Sequence, residues 1–301
     1  MTKEFDCIIL GAGPAGMSAS IYCTRANLSC CIIDTGMAGG RPLGYLEIEN
    51  YLGLGRTSTF DMLEKFREHV EFFNIPIYEC EEIKKVDLQE KVIETSSDVF
   101  QAKAIIIATG SKPRLLNVPG EKEFTGKGVH YCAICDGHFY KDKVVAVIGG
   151  GNSACEEALG LAKIAKKVYI MEVTDKLNAD SVTLDSIKAA ENIEVYTNCR
   201  VDEIVGEEKV KGIKIRDLYK ICVTFYYDVD AVFPYIGFTP NSEMFDVDKD
   251  ANGFIRSNAL KQTSIEGVFA AGDVVDKPVR QVVTAVADGA IAGIEASRYL
   301  R

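Results

Sequence analysis

The sequence predicts an α/β protein of two Rossmann-like domains, each a three-layer ββα dinucleotide-binding fold, with the smaller inserted into the larger. Three observations carry this expectation. An apolar strand at residues 5–10 runs straight into Gly11-Ala12-Gly13-Pro14-Ala15-Gly16. A second strand at 144–148 runs into Gly149-Gly150-Gly151-Asn152-Ser153-Ala154. Just ahead of that second turn stands Cys132-Ala133-Ile134-Cys135-Asp136-Gly137, a cysteine pair with an acid beside it.

Each element has its own reason. After strand 5–10 the glycines permit a tight turn, and they let the backbone approach a pyrophosphate at the start of a helix over 15–26. Unpaired N–H groups and the helix dipole favour an anion there. A strand at 29–33 ends at Asp34, placed to hydrogen-bond a ribose hydroxyl. Residues 104–110 read as a buried strand ending in the turn Ala108-Thr109-Gly110. The stretches 113–120 and 237–241 read as an outgoing and a returning linker. The second unit repeats the plan, with a helix at 155–165 and a strand at 168–171 ending at Glu172. Near the end, 267–273 is a strand running through Gly272 to Asp273, and Arg280-Gln281-Val282 opens a helix to about residue 298. The expected boundaries are 1–116 with 245–301 for the larger, discontinuous domain, and 117–244 for the inserted one.

Composition narrows the function. A chain of 301 residues with 47% hydrophobic content can bury two modest cores. Its net charge of −10 argues against nucleic acid, whose phosphates need a basic surface. No apolar run approaches the ~18 residues of a membrane helix. The start shows no basic segment or apolar leader, and ten cysteines without one suggest the reducing cytoplasm. Cys7, Cys23, Cys30, Cys31, Cys80, Cys155, Cys199 and Cys222 then read as ordinary apolar side chains.

Cys132 and Cys135 stand apart from these. Two intervening residues let the sulfurs meet across one turn of chain, where a thiolate pKa can be lowered. Zinc is the competing use, but no second Cys-x-x-Cys exists, and His130 and His138 have the wrong spacing. A dithiol between two dinucleotide folds suggests a flavin passing electrons to a disulfide.

The chain resembles the low-molecular-weight flavin thioredoxin reductases over nearly its whole length. The residues that carry the likeness are Gly11 to Gly16, Gly39-Gly40, Glu49-Asn50-Tyr51, Ala108-Thr109-Gly110, Cys132 to Gly137, Gly272-Asp273 and Arg280-Gln281. The resemblance implies FAD in the larger domain, with Gly11, Gly13, Pro14, Ala15 and Gly16 at its pyrophosphate and Asp34 at its adenosine ribose. Asn50, Arg280, Gln281 and Val282 would lie by the isoalloxazine, and Asp273 near the ribityl chain and phosphates. Ala108, Thr109, Gly110 and Gly272 would complete the cradle. Gly40-Arg41 departs from the family's usual Gly-Gln, which leaves the contacts of that loop open. The same resemblance makes Cys135 the flavin-proximal sulfur, Cys132 the thiol that attacks thioredoxin, and Asp136 the acid–base group. It also implies a homodimer. Because the dithiol cannot touch a buried flavin and an incoming thioredoxin at once, the two linkers are the expected hinges.

The electron donor is where the pattern breaks. NADPH-dependent members place arginines after the second strand, to pair with a 2′-phosphate. Here the stretch reads Glu172-Val173-Thr174-Asp175-Lys176-Leu177-Asn178-Ala179. Two anions at contact distance repel by about 1 kcal/mol or more even in water, so NADPH is disfavoured. Glu172 could instead hold a 2′-hydroxyl, giving an NADH-linked enzyme. Alternatively the fold has given up pyridine nucleotide, as in the ferredoxin-dependent members that the sequence also resembles. Ferredoxin near −400 mV and thioredoxin near −270 mV leave about 130 mV, roughly 6 kcal/mol over two electrons. Reduced ferredoxin is therefore the expected donor, with NADH and then NADPH as alternatives. The acidic net charge opposes docking of an acidic ferredoxin. A non-enzymatic redox sensor would keep the same residues.

Overall fold

The computed structural model describes residues 2–44, 47–219 and 223–301; Cys222 lies outside them. The chain forms two compact units, 1–112 with 239–301, and 113–238. Each is described by itself.

The larger unit opens with β1 (Thr2–Leu10), α1 (Pro14–Arg25) and β2 (Cys30–Ile33). A short hairpin follows, β3 (Glu47–Ile48) and β4 (Thr57–Ser58), then α2 (Thr59–Phe72). Next come β5 (Ile77–Tyr78), β6 (Ile83–Asp87), β7 (Val92–Thr95), β8 (Val99–Ile107) and β9 (Ser111–Pro113), where the chain crosses out. The sheet runs β5-β2-β1-β8-β7-β6. The far edge of β8 is divided. Its first residues pair antiparallel with β7, and Ile105 to Ile107 pair parallel with a strand from the end of the chain.

Parallel strands covered on both faces read as continuous apolar runs, and β1 does: Cys7 through Leu10 are fully buried. Ile9 and Ile106 face one core with the helices, while Ile8, Leu10 and Phe100 face the other.

The inserted unit begins with α3 (Ala133–Asp136), β10 (Val144–Ile148), α4 (Asn152–Ala162), β11 (Lys167–Met171), α5 (Ser181–Ala189) and β12 (Ile193–Tyr196). An antiparallel sheet of β13 (Cys199–Gly206), β14 (Val210–Asp217) and β15 (Thr224–Asp228) leads to β16 (Ala231–Pro234). The order β12-β11-β10-β16 is parallel throughout. The return strand β17 (Phe238–Pro240) leads to β18 (Val268–Ala270), which completes the edge of β8, and to α6 (Val282–Tyr299). This is the α/β architecture the two turns imply.

Side-chain packing explains where the units divide. Leu115 and Leu116 pack into the inserted core, and the Ser242 hydroxyl donates to the Gly253 carbonyl at 2.6 Å within the larger unit. The chain therefore passes between units at 112/113 and 238/239, ahead of the 116/117 and 244/245 that composition suggests. Helix α6 meets α1 closely: a Cβ on Gly289 would fall 2.0 Å from the Ala15 carbonyl oxygen. Among the described residues no helix is long and apolar enough to cross a membrane.

Candidate functional site

The first glycine turn is a cradle shaped by close backbone approaches. Gly11 has φ +110°, and a Cβ there would strike the Ala108 carbonyl oxygen at 2.4 Å. A Cβ on Gly16 would lie 1.8 Å from the Gly11 carbonyl oxygen, so the helix start closes directly on the turn. Pro14 occupies the first helical position, and no side chain among the described residues caps Gly13. The first N–H groups of α1 are thus left for a ligand. Gly40, with φ +65°, covers the turn, a Cβ on it lying 3.0 Å from the Gly13 Cα. Asp34 Oδ2 accepts the Ala12 N–H at 2.6 Å and Oδ1 the Gly36 N–H at 2.8 Å, tying the carboxylate to the turn.

A cavity of about 330 Å³ opens beside this turn, lined by Gly11, Asp34, Thr35, Thr109, Lys112 and Asn241 among others. Its far wall is braced by a reciprocal pair. Thr109 Oγ1 donates to the Asn241 carbonyl at 2.6 Å, and Asn241 Nδ2 donates to the Thr109 carbonyl at 2.8 Å. Gly110, at φ +68°, makes the turn that permits it.

Asp273 follows Gly272 at the end of β18 and is largely buried. Burial pushes its carboxyl up, opposed by Lys277, Arg41 and Arg280. Its Oδ1 has no hydrogen-bond partner among the described residues, although Lys277 Nζ lies 3.8 Å away. Arg41, the departure in the loop, stands 3.6 Å from Asp273 Oδ2. Arg280 lies over the Phe254 ring at 4.1 Å, its Nε buried without a hydrogen-bond partner among the described residues. Gln281 Oε1 accepts from Asn50 Nδ2 at 3.2 Å, and α6 begins at Val282. A glycine cradle, an acid beside the turn and buried polar atoms awaiting partners fit a dinucleotide such as FAD. The larger unit thus gathers the residues that sequence assigned to it.

In the inserted unit Cys132 and Cys135 form a disulfide, with Cα atoms 5.2 Å apart. Cys132 caps the single turn of α3, its sulfur accepting the Cys135 N–H at 3.2 Å. The Ala133 N–H donates to the Tyr235 hydroxyl at 2.7 Å, anchoring the turn. Asp136 is buried below it, with Oδ2 3.3 Å from His130 Nδ1. His130 Nε2 lies 2.7 Å from the Tyr140 hydroxyl. Burial and the charge of Asp136 push the Tyr140 phenol up to about 12. Sequence reasoning weighed His130 only as a metal ligand and passed over Tyr140 and Tyr235. The only available signal was their nearness in sequence to the cysteine pair, and for Tyr235 there was none.

The second glycine turn repeats the first. Gly149, at φ +125°, abuts the Tyr235 carbonyl oxygen as Gly11 abuts that of Ala108. Glu172 follows β11 as Asp34 follows β2. Its Oε1 accepts from the Thr174 N–H and hydroxyl, both at 2.8 Å. A Cβ on Gly150 would lie 2.8 Å from Glu172 Oε2. A carboxylate thus stands against the second glycine turn.

Comparison with known proteins adds four findings. Residues 5–289 match the family model for pyridine nucleotide-disulphide oxidoreductases. The chain is 40% identical over 306 residues to the thioredoxin reductase of Bacillus subtilis, covering 99% of this chain and 95% of that one. The crystal structure of thioredoxin reductase from Streptococcus pyogenes superposes with a TM-score of 0.90 at 38% identity, over 99% and 98% of the two chains. A ferredoxin-flavin thioredoxin reductase from Clostridium acetobutylicum is similar at a greater distance, with 28% identity and a TM-score of 0.53 over 99% and 98%. The likeness is therefore nearer to thioredoxin reductases at large than to the ferredoxin-linked group that sequence reading favoured.

Proposed function

This chain belongs to the pyridine nucleotide-disulphide oxidoreductases, among the low-molecular-weight thioredoxin reductases, and from that premise we propose that it reduces thioredoxin with electrons from NADH. Its cofactor is FAD, which joins a two-electron donor to a disulfide. The turn Gly11–Gly16 and the N–H groups of α1 would hold its pyrophosphate, and Asp34 would take the adenosine ribose. Asp273, Arg41 and Arg280 line the remainder.

The observation that carries the choice of donor is Glu172 against Gly150. With Oε1 engaged by Thr174, Oε2 is directed along the glycine turn and can accept from a ribose 2′-hydroxyl. A 2′-phosphate there meets a carboxylate instead of the arginine fork it requires. The family model, whose description names pyridine nucleotide, and the nearer likeness to thioredoxin reductases at large support such a donor here. That support moves the reading from ferredoxin to NADH.

In the dithiol, Cys132 attacks the thioredoxin disulfide, Cys135 closes the ring behind it, and Asp136 supplies the proton to the leaving thiolate. Ferredoxin remains the second reading, favoured by the absence of arginine from 172–179 and by the likeness to the Clostridium acetobutylicum enzyme. Anaerobic titration of the flavoprotein separates the two. Rapid bleaching of the flavin band by NADH is expected. Bleaching by reduced ferredoxin alone overturns the proposal in favour of the second reading.

A further inference from the structure

We propose that His130 is a positioning residue that sets the protonation of Asp136, with Tyr140 as its outer partner. The inference rests on the reading of Asp136 as the acid–base group of the dithiol. It begins from a buried oxygen. Asp136 Oδ2 has no hydrogen-bond partner among the described residues, and the polar atom against it is His130 Nδ1, 3.3 Å away. That separation is long for a hydrogen bond, as contacts of acid–base groups often are before reaction.

The histidine is held firmly. Its backbone N–H donates to the Val232 carbonyl at 3.0 Å. Its ring stacks on Phe233 at 5.7 Å between centroids and meets the edge of Tyr140 at 5.4 Å. It is only 9% exposed, so both ring nitrogens must find partners within the protein. Asp136 faces Nδ1 and the Tyr140 hydroxyl faces Nε2. Asp230 acts on Tyr140 from the start of β16 and is itself 3.8 Å from Lys143. Phe233 contributes no charge.

Two arrangements satisfy every atom of this line. With Asp136 ionised, His130 donates Nδ1–H to the carboxylate and Tyr140 donates to Nε2. With Asp136 protonated, its O–H donates to Nδ1, and Nε2–H donates to the Tyr140 oxygen. A hydroxyl can serve in either direction, which an apolar or cationic side chain cannot. The first arrangement passes to the second by moving one proton at each link. Nδ1–H goes to Asp136, the Tyr140 proton goes to Nε2, and a proton from solvent restores Tyr140. No electron moves, one proton is gained by the carboxyl, and the reverse passage returns it. A phenol held at about 12 stays protonated at neutral pH and available as donor. Asp136 thus changes charge in a buried site without losing a partner in either state.

The test uses the FAD-loaded enzyme reduced with dithionite under anaerobic conditions. Its dithiol is reoxidised by 5,5′-dithiobis(2-nitrobenzoate) in a stopped-flow instrument, from pH 5 to 9, in H2O and D2O. His130→Gln is expected to be about tenfold slower at neutral pH, less than the roughly 10²–10⁴-fold of a direct acid–base group because His130 acts through Asp136, with a flattened pH profile and a reduced solvent isotope effect. Tyr140→Phe removes only a hydroxyl and should shift the profile and isotope effect in the same direction, which guards against a folding defect in the histidine variant. Rates and profiles equal to wild type in both variants overturn the proposal. An unchanged rate in Asp136→Asn overturns it too, since His130 would then have nothing to act through. Failure of the wild type to turn over thioredoxin, with the small-disulfide reaction intact, would strike the proposed function and leave this inference standing.

Discussion

The side chain of Glu172 closes on Gly150: a methyl group on the glycine would lie 2.8 Å from both Cγ and Oε2 of the glutamate. No other residue type fits at 150 without moving that side chain. The first prediction follows from this contact. Glu172→Gln keeps the shape and removes the charge, and so should narrow the preference for NADH over NADPH by about tenfold, the effect of roughly 1.4 kcal/mol. Initial rates of flavin reduction with each nucleotide measure the ratio. A ratio unmoved by the substitution refutes the role given to Glu172.

The dithiol separates two half-reactions. Cys132→Ser and Cys135→Ser should each lower thioredoxin reduction by about three orders of magnitude or more, because the cysteines act as one unit. Reduction of the bound flavin should survive in both. Loss of flavin reduction in a variant that retains FAD contradicts this division of labour. Retention of a signalling response without turnover in the wild type would favour a sensor.

A third prediction concerns the cradle. Gly16→Ala forces a Cβ to 1.8 Å from the Gly11 carbonyl oxygen, a backbone atom with no freedom to retreat. The purified variant should carry less than about a tenth of the wild-type flavin and lose about 1–3 kcal/mol of stability through overpacking. The ratio of flavin to protein absorbance and a urea titration read the two effects. Full flavin content would exclude the turn from FAD binding.

Stability should depend on pH through Glu157. Burial, reinforced by the neighbouring Glu156, raises this carboxyl from its ordinary 4.5 to about 7. A raised pKa means that the folded protein binds the proton more tightly. The contribution is complete below about 4.5 and is lost as pH rises through about 7. Glu157→Gln, neutral at every pH, should equal wild type near pH 5 and exceed it near pH 8 by about 1 kcal/mol, a figure discounted for partial solvent exposure. Urea midpoints at the two pH values test the sign. A constant difference between the proteins would rule it out.

Much of the fold was legible because its strands are apolar on both faces and its turns must be glycine. Ile8 to Leu10 and Ile105 to Ile107 could be read as buried before any neighbour was known. Helix ends were less readable. α4 begins at Asn152, ahead of the expected 155, because Asn152 and Ser153 read as turn residues although Gly151 is already the cap. Within the site, Gly11, Asp34 and the cysteine pair announce themselves by spacing. The line from Asp136 through His130 to Tyr140 does not. It depends on a short turn after α3 bringing Tyr140 back, and on Phe233, distant in sequence, walling the ring. The pairing of Arg41 with Asp273 joins opposite ends of the chain and was hidden for the same reason.

The edge of β8 that waits for β18 gives the chain a schedule. The inserted unit is continuous from 113 to 238 and holds all its own strands once that stretch has left the ribosome. The larger unit at that moment still lacks β18, Asp273 and the helix whose Gly289 locks onto Ala15. The part bearing the cysteine pair can therefore fold during synthesis. A complete cradle for FAD, by contrast, would exist only once the last stretch of chain has joined the larger unit, which would put cofactor loading after synthesis.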